Sequence, residues 1–236
     1  FFVQPKIFLT DTREYLYYDN ERIAQYSFTD VGGLTDLGIN FGRSAQLRAG
    51  YLYASRKANV DTGPRVLPEV DAVDAGITAQ FVYDTRDAAF APTRGLAATV
   101  EYMYTDDSLG ADRDWQRLEA GARFALPLRG DVIWLAAAGG SNLGSDLPVD
   151  RFFTLGGPGS FPGLELAQYR APDYWTVSGS YLWKFADVQT LRGESMYIGA
   201  QIQGGAIANW LKGLQIGPDG PDFESVDDPQ LEPIYG

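Results

Sequence analysis

The chain contains no histidine and no cysteine. Without imidazole it has no Ser-His-Asp triad, no proton shuttle working near neutral pH and no His-ligated metal. Without thiols it has no cysteine nucleophile, no structural zinc site of the common kind and no disulfide. Basic charge is scarce as well. Nineteen Lys and Arg face 31 Asp and Glu, a net charge of −12, which argues against a phosphate-binding surface and hence against nucleic acid as a partner. Long apolar runs are also missing. The longest, Val132 to Ala138, is bounded by Asp131 and by Gly139-Gly140, far below the ~20 residues that a membrane helix needs. The opening Phe1-Phe-Val-Gln-Pro-Lys6 lacks the charged start and apolar stretch of a signal peptide. What is left is a soluble fold or a membrane protein that crosses with strands, which hydropathy does not detect.

What the sequence does have is alternation. Its 236 residues are 45 % apolar and 14 % aromatic, with 27 glycines and 13 prolines, a length ordinary for one β-barrel or sandwich domain. Ile77, Ala79, Phe81 and Tyr83 alternate with Thr78, Gln80 and Asp84. Leu118, Ala120, Ala122 and Phe124 alternate with Arg117, Glu119, Gly121 and Arg123. Trp175, Val177, Tyr181 and Trp183 alternate with Thr176, Ser178, Ser180 and Lys184. This period of two is the strand signature. Extended along the chain it predicts about ten strands, at 1–12, 22–31, 34–43, 45–56, 75–86, 95–105, 115–126, 132–141, 173–186 and 195–208. Several run for about ten residues, the length a tilted strand needs to cross a bilayer.

The expected connections alternate between shorter and longer. Shorter ones fall at 13–21, Ser44, 87–94, 127–131 and 187–194; longer ones at 57–74, 106–114, 142–172 and from 209 onward. Only Gly32-Gly33, read as a turn after the second strand, breaks the rule. Such alternation suits an up-and-down barrel in an outer membrane, with short turns on the periplasmic side. Tyr15, Tyr17, Tyr18, Tyr51, Tyr53, Tyr102, Tyr104, Tyr174, Trp175, Tyr181, Trp183, Tyr197 and Trp210 fall mostly near expected strand ends, where interfacial girdles place amphipathic rings. Aromatics also favour strands in general, so periodicity alone leaves a soluble extracellular β protein, such as a carbohydrate-binding sandwich, open.

Two segments are more specific. One is Asp84-Thr-Arg-Asp87 followed by Pro92-Thr-Arg-Gly95, a polar turn built from Asp84, Arg86, Asp87, Pro92, Arg94 and Gly95. The other is Phe152-Phe-Thr-Leu-Gly-Gly-Pro-Gly-Ser-Phe-Pro-Gly163, inside the longest internal connection. Its glycines and prolines imply tight bends. Its apolar Phe152, Phe153, Leu155 and Phe161 imply a loop folded back onto the protein.

Together the two segments resemble the outer-membrane assembly and two-partner-secretion transporter superfamily, whose barrel is the bacterial surface antigen domain. The turn matches from Asp84 to Gly95, and the signature loop matches at Leu155, Gly156, Gly157, Ser160, Phe161 and Gly163. The resemblance implies a sixteen-stranded barrel of the bacterial outer membrane, with this loop folded into the lumen. It also implies a pairing between an arginine of the loop and an acid on the strand after next. The arginine position is Pro162 here, and the matching acid position is Gln203. Both halves of the pair are missing together, which avoids leaving one buried charge without its partner.

That departure, with Tyr174 to Trp183 and Met196-Tyr-Ile-Gly199, looks most like barrels attached to patatin-like phospholipase autotransporters. The expected role is a membrane anchor or translocation pore for a passenger polypeptide, an upstream lipid hydrolase. A general assembly or secretion barrel is the alternative. The expected partners are outer-membrane lipid and the passenger, and a homo-oligomer is left open. No catalytic constellation is present in the chain. Ser160 is flanked by Pro158 and Pro162, which fails the nucleophile elbow, and the loop fails G-x-G-x-x-G. Glu101 and Glu119 read as lumen lining beside Arg117 and Arg123 rather than as an acid/base pair. Neither a cofactor nor a metal is expected, because the acids of the tail from Gly217 to Gly236 match no calcium-loop spacing and read as an exposed loop. By the resemblance, residues 1–236 are part of a barrel whose further strands lie before Phe1 and after Gly236.

Overall fold

Strands that alternate apolar and polar side chains must place the two sets on opposite faces, and here one sheet does so. The computed structural model describes residues 1–18, 21–63, 69–157, 160–188, 194–208, 215–217, 220–222 and 231–235. Ten strands build the wall: β1 (Phe2–Tyr18), β2 (Glu21–Phe41), β3 (Ala45–Thr62), β4 (Val70–Asp84), β5 (Gly95–Thr105), β6 (Trp115–Leu128), β7 (Asp131–Ser141), β10 (Tyr174–Val188), β11 (Glu194–Ala208) and β14 (Leu231–Tyr235). They lie side by side in that order and all pairs are antiparallel. Two hairpins sit in connections: β8 (Phe153–Leu155) with β9 (Tyr169–Ala171), and β12 (Gln215–Gly217) with β13 (Gly220–Asp222). The wall is an up-and-down meander with β1 and β14 at its edges. A sandwich would need a second large sheet packed face to face with the first, and the described residues hold none.

Gly32-Gly33 does not turn the chain. Both residues lie inside β2, in register with Phe8 and Ile7 on one side and with Ala54 and Tyr53 on the other. A Cβ on Gly32 would stand 2.4 Å from the Tyr53 carbonyl oxygen and 2.5 Å from the Ala54 Cβ. The glycine is there for close approach of neighbouring strands at a bend in the sheet. The two strands expected at 22–31 and 34–43 are therefore one strand of 21 residues.

The count of ten is kept by a strand that the sequence reading places in a loop. Leu231–Tyr235 of the acidic tail pairs with Gly204–Ala208. The tail's Asp219, Glu224, Asp227 and Asp228, and Trp210 before them, lie outside the described residues.

The short connection expected at 13–21 is mostly strand, since β1 runs to Tyr18 and β2 starts at Glu21, and its turn falls at the end of the longer connections rather than with the short ones. The joins from β1 to β2, β3 to β4, β5 to β6, β7 to β10 and β11 to β14 fall at one end of the wall, and those from β2 to β3, β4 to β5, β6 to β7 and β10 to β11 at the other. One face of the wall carries Ile7, Leu9, Tyr51, Phe81, Val177, Tyr181, Trp183 and Ile202, all exposed. Ile7 is 92 % exposed and Ile202 75 %, an apolar surface suited to lipid rather than water. Register places Thr78, Gln80, Arg117, Glu119, Arg123 and Lys184 on the opposite face. Two aromatics leave the girdle pattern. Tyr17 turns inward to donate to Glu165 at 2.6 Å, and Tyr174 to donate to Glu119 at 2.7 Å.

Candidate functional site

Leu147, Phe153, Leu155 and Phe161 of the 142–173 connection cannot stay in water at little cost, and they are buried against the inner face of the wall. β8 and β9 pair at Phe153↔Ala171, Thr154↔Arg170 and Leu155↔Tyr169 and so close a hairpin whose tip carries the glycine-rich segment. Gly156 has φ +126°, and a Cβ there would stand 2.0 Å from the Glu165 carbonyl oxygen. Only glycine fits this crossing. Beyond it the chain tightens through Phe161 N–H to Gly157 O (3.0 Å), Gly157 N–H to Leu164 O (3.1 Å) and Leu164 N–H to Phe161 O (3.0 Å). Pro158 and Gly159 lie outside the described residues.

Three sets of contacts seat the loop. At the tip, Leu155, Phe161 and Ala171 are fully buried with Ile207 of β11 and Ile234 of β14. Gln203 Nε2 donates to the Ser160 carbonyl oxygen at 2.7 Å and is itself supported by Gln201. Pro162 and Gly163 are exposed, and Pro162 borders a cavity of about 590 Å³ with Ser160, Gln203, Thr176, Arg123 and Arg86. On the opposite side, Arg170 pairs with Glu14, and Glu165 receives Tyr17 and Arg22. At the root, the 3-10 turn Val149–Arg151 meets Asp30, Arg56, Asp74 and Arg113. The loop thus touches β1 and β2 as well as β11 and β14, and the wall must curve around it.

Hydrogen bonds from the Tyr17 hydroxyl and the Arg22 guanidinium hold the Glu165 carboxyl below its ordinary value. A depressed folded value means that this clasp contributes fully above the ordinary glutamate pKa and is lost as pH falls through the folded one. Hydrogen exchange of residues 160–168, corrected for its intrinsic pH dependence, should stay flat from about pH 7 to about pH 5 and rise below about pH 4. Glu165→Gln should remove that acid step.

The turn motif lies at the other end. Asp84 takes Arg86 in a bidentate pair (Oδ2–Nη2 2.8 Å, Oδ1–Nε 3.0 Å). Asp87 accepts from Thr93 N and Oγ1 and from Arg94 N, which holds its carboxyl below the usual range. Trp134 Nε1 donates to Pro92 O at 2.8 Å, and Gly95 takes φ +106° where the chain re-enters β5. Arg86 and the loop tip border the same cavity, so the two motifs face one space from opposite ends. Elsewhere, Asp106, Asp107 and Asp114 bring carboxylate oxygens within 4.8 Å of one another. They serve their own turn: Asp106 accepts Ser108 N and Tyr104 Oη, and Asp114 accepts Asp107 N.

Residues 2–198 match the Omp85 superfamily domain. The chain belongs to the Omp85 superfamily. It is similar in fold to the crystal structure of BamA from Haemophilus ducreyi lacking POTRA domains 1–3, with a TM-score of 0.73 and 14 % identity. That match covers 99 % of this chain and 51 % of the BamA chain, so the chain spans about half the length of that structure. No curated protein matches it. The protein is accordingly an all-β, antiparallel transmembrane barrel of the bacterial outer membrane, and its apolar outer face is the lipid face.

In this Omp85 wall the root contacts escape a sequence reading. Asp74 falls in the segment 57–74 read as a connection, although β4 starts at Val70. Asp150 and Arg151 flank the signature loop without belonging to it. The usable signal is parity. Asp30 and Arg56 are charged residues at inward positions near the ends of expected strands, and a charge there needs a partner from inside the barrel.

Proposed function

We propose that this Omp85 barrel serves polypeptide export or assembly at the outer membrane, with residues 152–163 as the lumen element and Gln203 as its seat on the wall. The observation that carries the reading is the contact of Ser160 with Gln203 beneath a fully buried Phe161, which holds the loop across the inner space. The Asp84–Gly95 turn forms the opposite rim of the same cavity. The ten strands are read as part of a sixteen-strand wall, supported by an open strand order in which β1 and β14 do not pair with each other. The passenger is read as a patatin-like lipid hydrolase of the same polypeptide, supported by the neutral Pro162 and Gln203 at the positions of the family's charged pair and by the Tyr174–Trp183 segment. The chain itself supplies anchoring and passage rather than catalysis.

Deleting residues 155–163 from the full-length protein tests this reading. Heat-modifiable gel migration should persist, because the wall's own ladders are untouched, while surface exposure of the passenger to added protease should fall away. Unchanged exposure would remove the loop from the export role. A full-length sequence without the G-x-S-x-G of a patatin-like domain would leave the general assembly or secretion barrel.

A further inference from the structure

Six charged side chains at the root of the loop form a closed ring of alternating sign. Arg56 joins Asp30 (Nη1–Oδ2 2.9 Å) to Asp150 (Nε–Oδ2 3.1 Å). Arg113 joins Asp150 (Nη1–Oδ1 2.7 Å) to Asp74 (Nη2–Oδ1 3.3 Å). Arg151 joins Asp74 (Nε–Oδ2 2.8 Å) back to Asp30 (Nη2–Oδ1 3.3 Å). The side chains range from fully buried Asp74 to Arg113 at 22 % exposure. Trp115 Nε1 donates to Asp74 at 3.0 Å, and the Arg56 guanidinium lies 4.8 Å from the centre of the Phe28 ring. With three positive and three negative members the ring is neutral, and every charge has two opposite neighbours.

The loop's two members, Asp150 and Arg151, stand across the ring from each other. Taking both out together leaves Asp30–Arg56 and Asp74–Arg113, two complete ion pairs on β2, β3, β4 and the 106–114 connection. It also leaves Asp150 and Arg151 as adjacent opposite charges on the loop, already 3.9 Å apart. Neither separated half carries an unpaired charge. This differs from an ordinary buried pair, where withdrawing one partner strands the other. The glycine-rich tip meets the wall through Gln203 and the apolar cluster, and the returning arm adds the pairs Glu165–Arg22 and Arg170–Glu14.

We propose that the Asp150–Arg151 turn is a releasable ionic latch, which locks the root of the in-folded loop to the wall and opens without leaving any member of the ring unpaired. The inference rests on the in-folded position of the loop and not on export, so a negative export assay leaves it standing.

The test is hydrogen exchange by mass spectrometry on the full-length protein in detergent, with three variants. Exchanging the two residues, Asp150→Arg with Arg151→Asp, keeps the composition and sets like charges against Arg56, Arg113, Asp30 and Asp74. Protection of the loop root, residues 149–155, should be lost while β2 to β7 stay protected. Neutralising both, Asp150→Asn with Arg151→Met, should loosen the same loop and leave the wall protected, because the two wall pairs remain. Gln203→Leu should loosen residues 160–164 alone. Unchanged loop protection in the exchanged variant overturns the latch, as does full release of the loop by Gln203→Leu. Loss of wall protection in the doubly neutralised variant also overturns it, since the ring would then be part of the wall's own framework.

Discussion

Asp74→Ala is expected to destabilise the barrel by about 3–5 kcal/mol, the range for removing one partner of a buried ion pair. Asp74 is fully buried and is the shared anion for Arg113 and Arg151. Its loss leaves those two guanidinium groups without the carboxylate between them and leaves the Trp115 Nε1–H without its acceptor. Urea unfolding of the full-length protein in detergent, followed by loss of the compact heat-modifiable form, measures the change. Asp74→Asn keeps an acceptor for Trp115 and should lose less. A change under about 1 kcal/mol for the alanine variant would mean that the site is as hydrated as an exposed pair.

Phe161→Ala is the second large effect. The ring is fully buried among Leu155, Ala171, Ile207 and Ile234, and truncating a buried phenylalanine costs about 3–5 kcal/mol when its surroundings cannot close in. They have little freedom to do so, because Ile207 and Ile234 are fixed by the β11–β14 ladder, which pairs Ile207 with Glu232 and Ile234 with Gly205. Amide protection at residues 160–164 should fall with the loss of stability. Pro162→Ala, one residue along, should stay within about 0.5 kcal/mol, since Pro162 is exposed to the cavity. Equal effects at the two positions would show that the tip is not seated by its buried ring.

The contrast between these neighbours marks how far the sequence could be read. Phe161 stands out as an apolar residue in a glycine-rich loop, so its burial is legible without coordinates. The face of each wall strand is equally legible, because a period of two admits only two assignments and Ile77, Phe81, Trp175 and Trp183 choose between them. Gly32-Gly33 shows where local reasoning stops. A glycine pair suits a turn and a tight strand-to-strand approach equally well, and only the partners Phe8 and Ala54 distinguish them. Leu231–Tyr235 is another such case. Two prolines near an acidic run read as loop, and pairing with Gly204–Ala208 overrides that reading.

The absent histidine and cysteine, the scarce positive charge and the alternation determined from sequence alone that the chain is a β scaffold with a polar inner face. The two motifs pointed to its family. What only the tertiary structure decided is how the loop is held. Asp30, Arg56, Asp74, Arg113, Asp150 and Arg151 span positions 30 to 151 and follow no common spacing. An ion pair depends on separation in space, and strand curvature together with the path of the loop sets that separation. The same six charges read as scattered polar residues along the chain, and as a closed ring once the wall is bent around its loop.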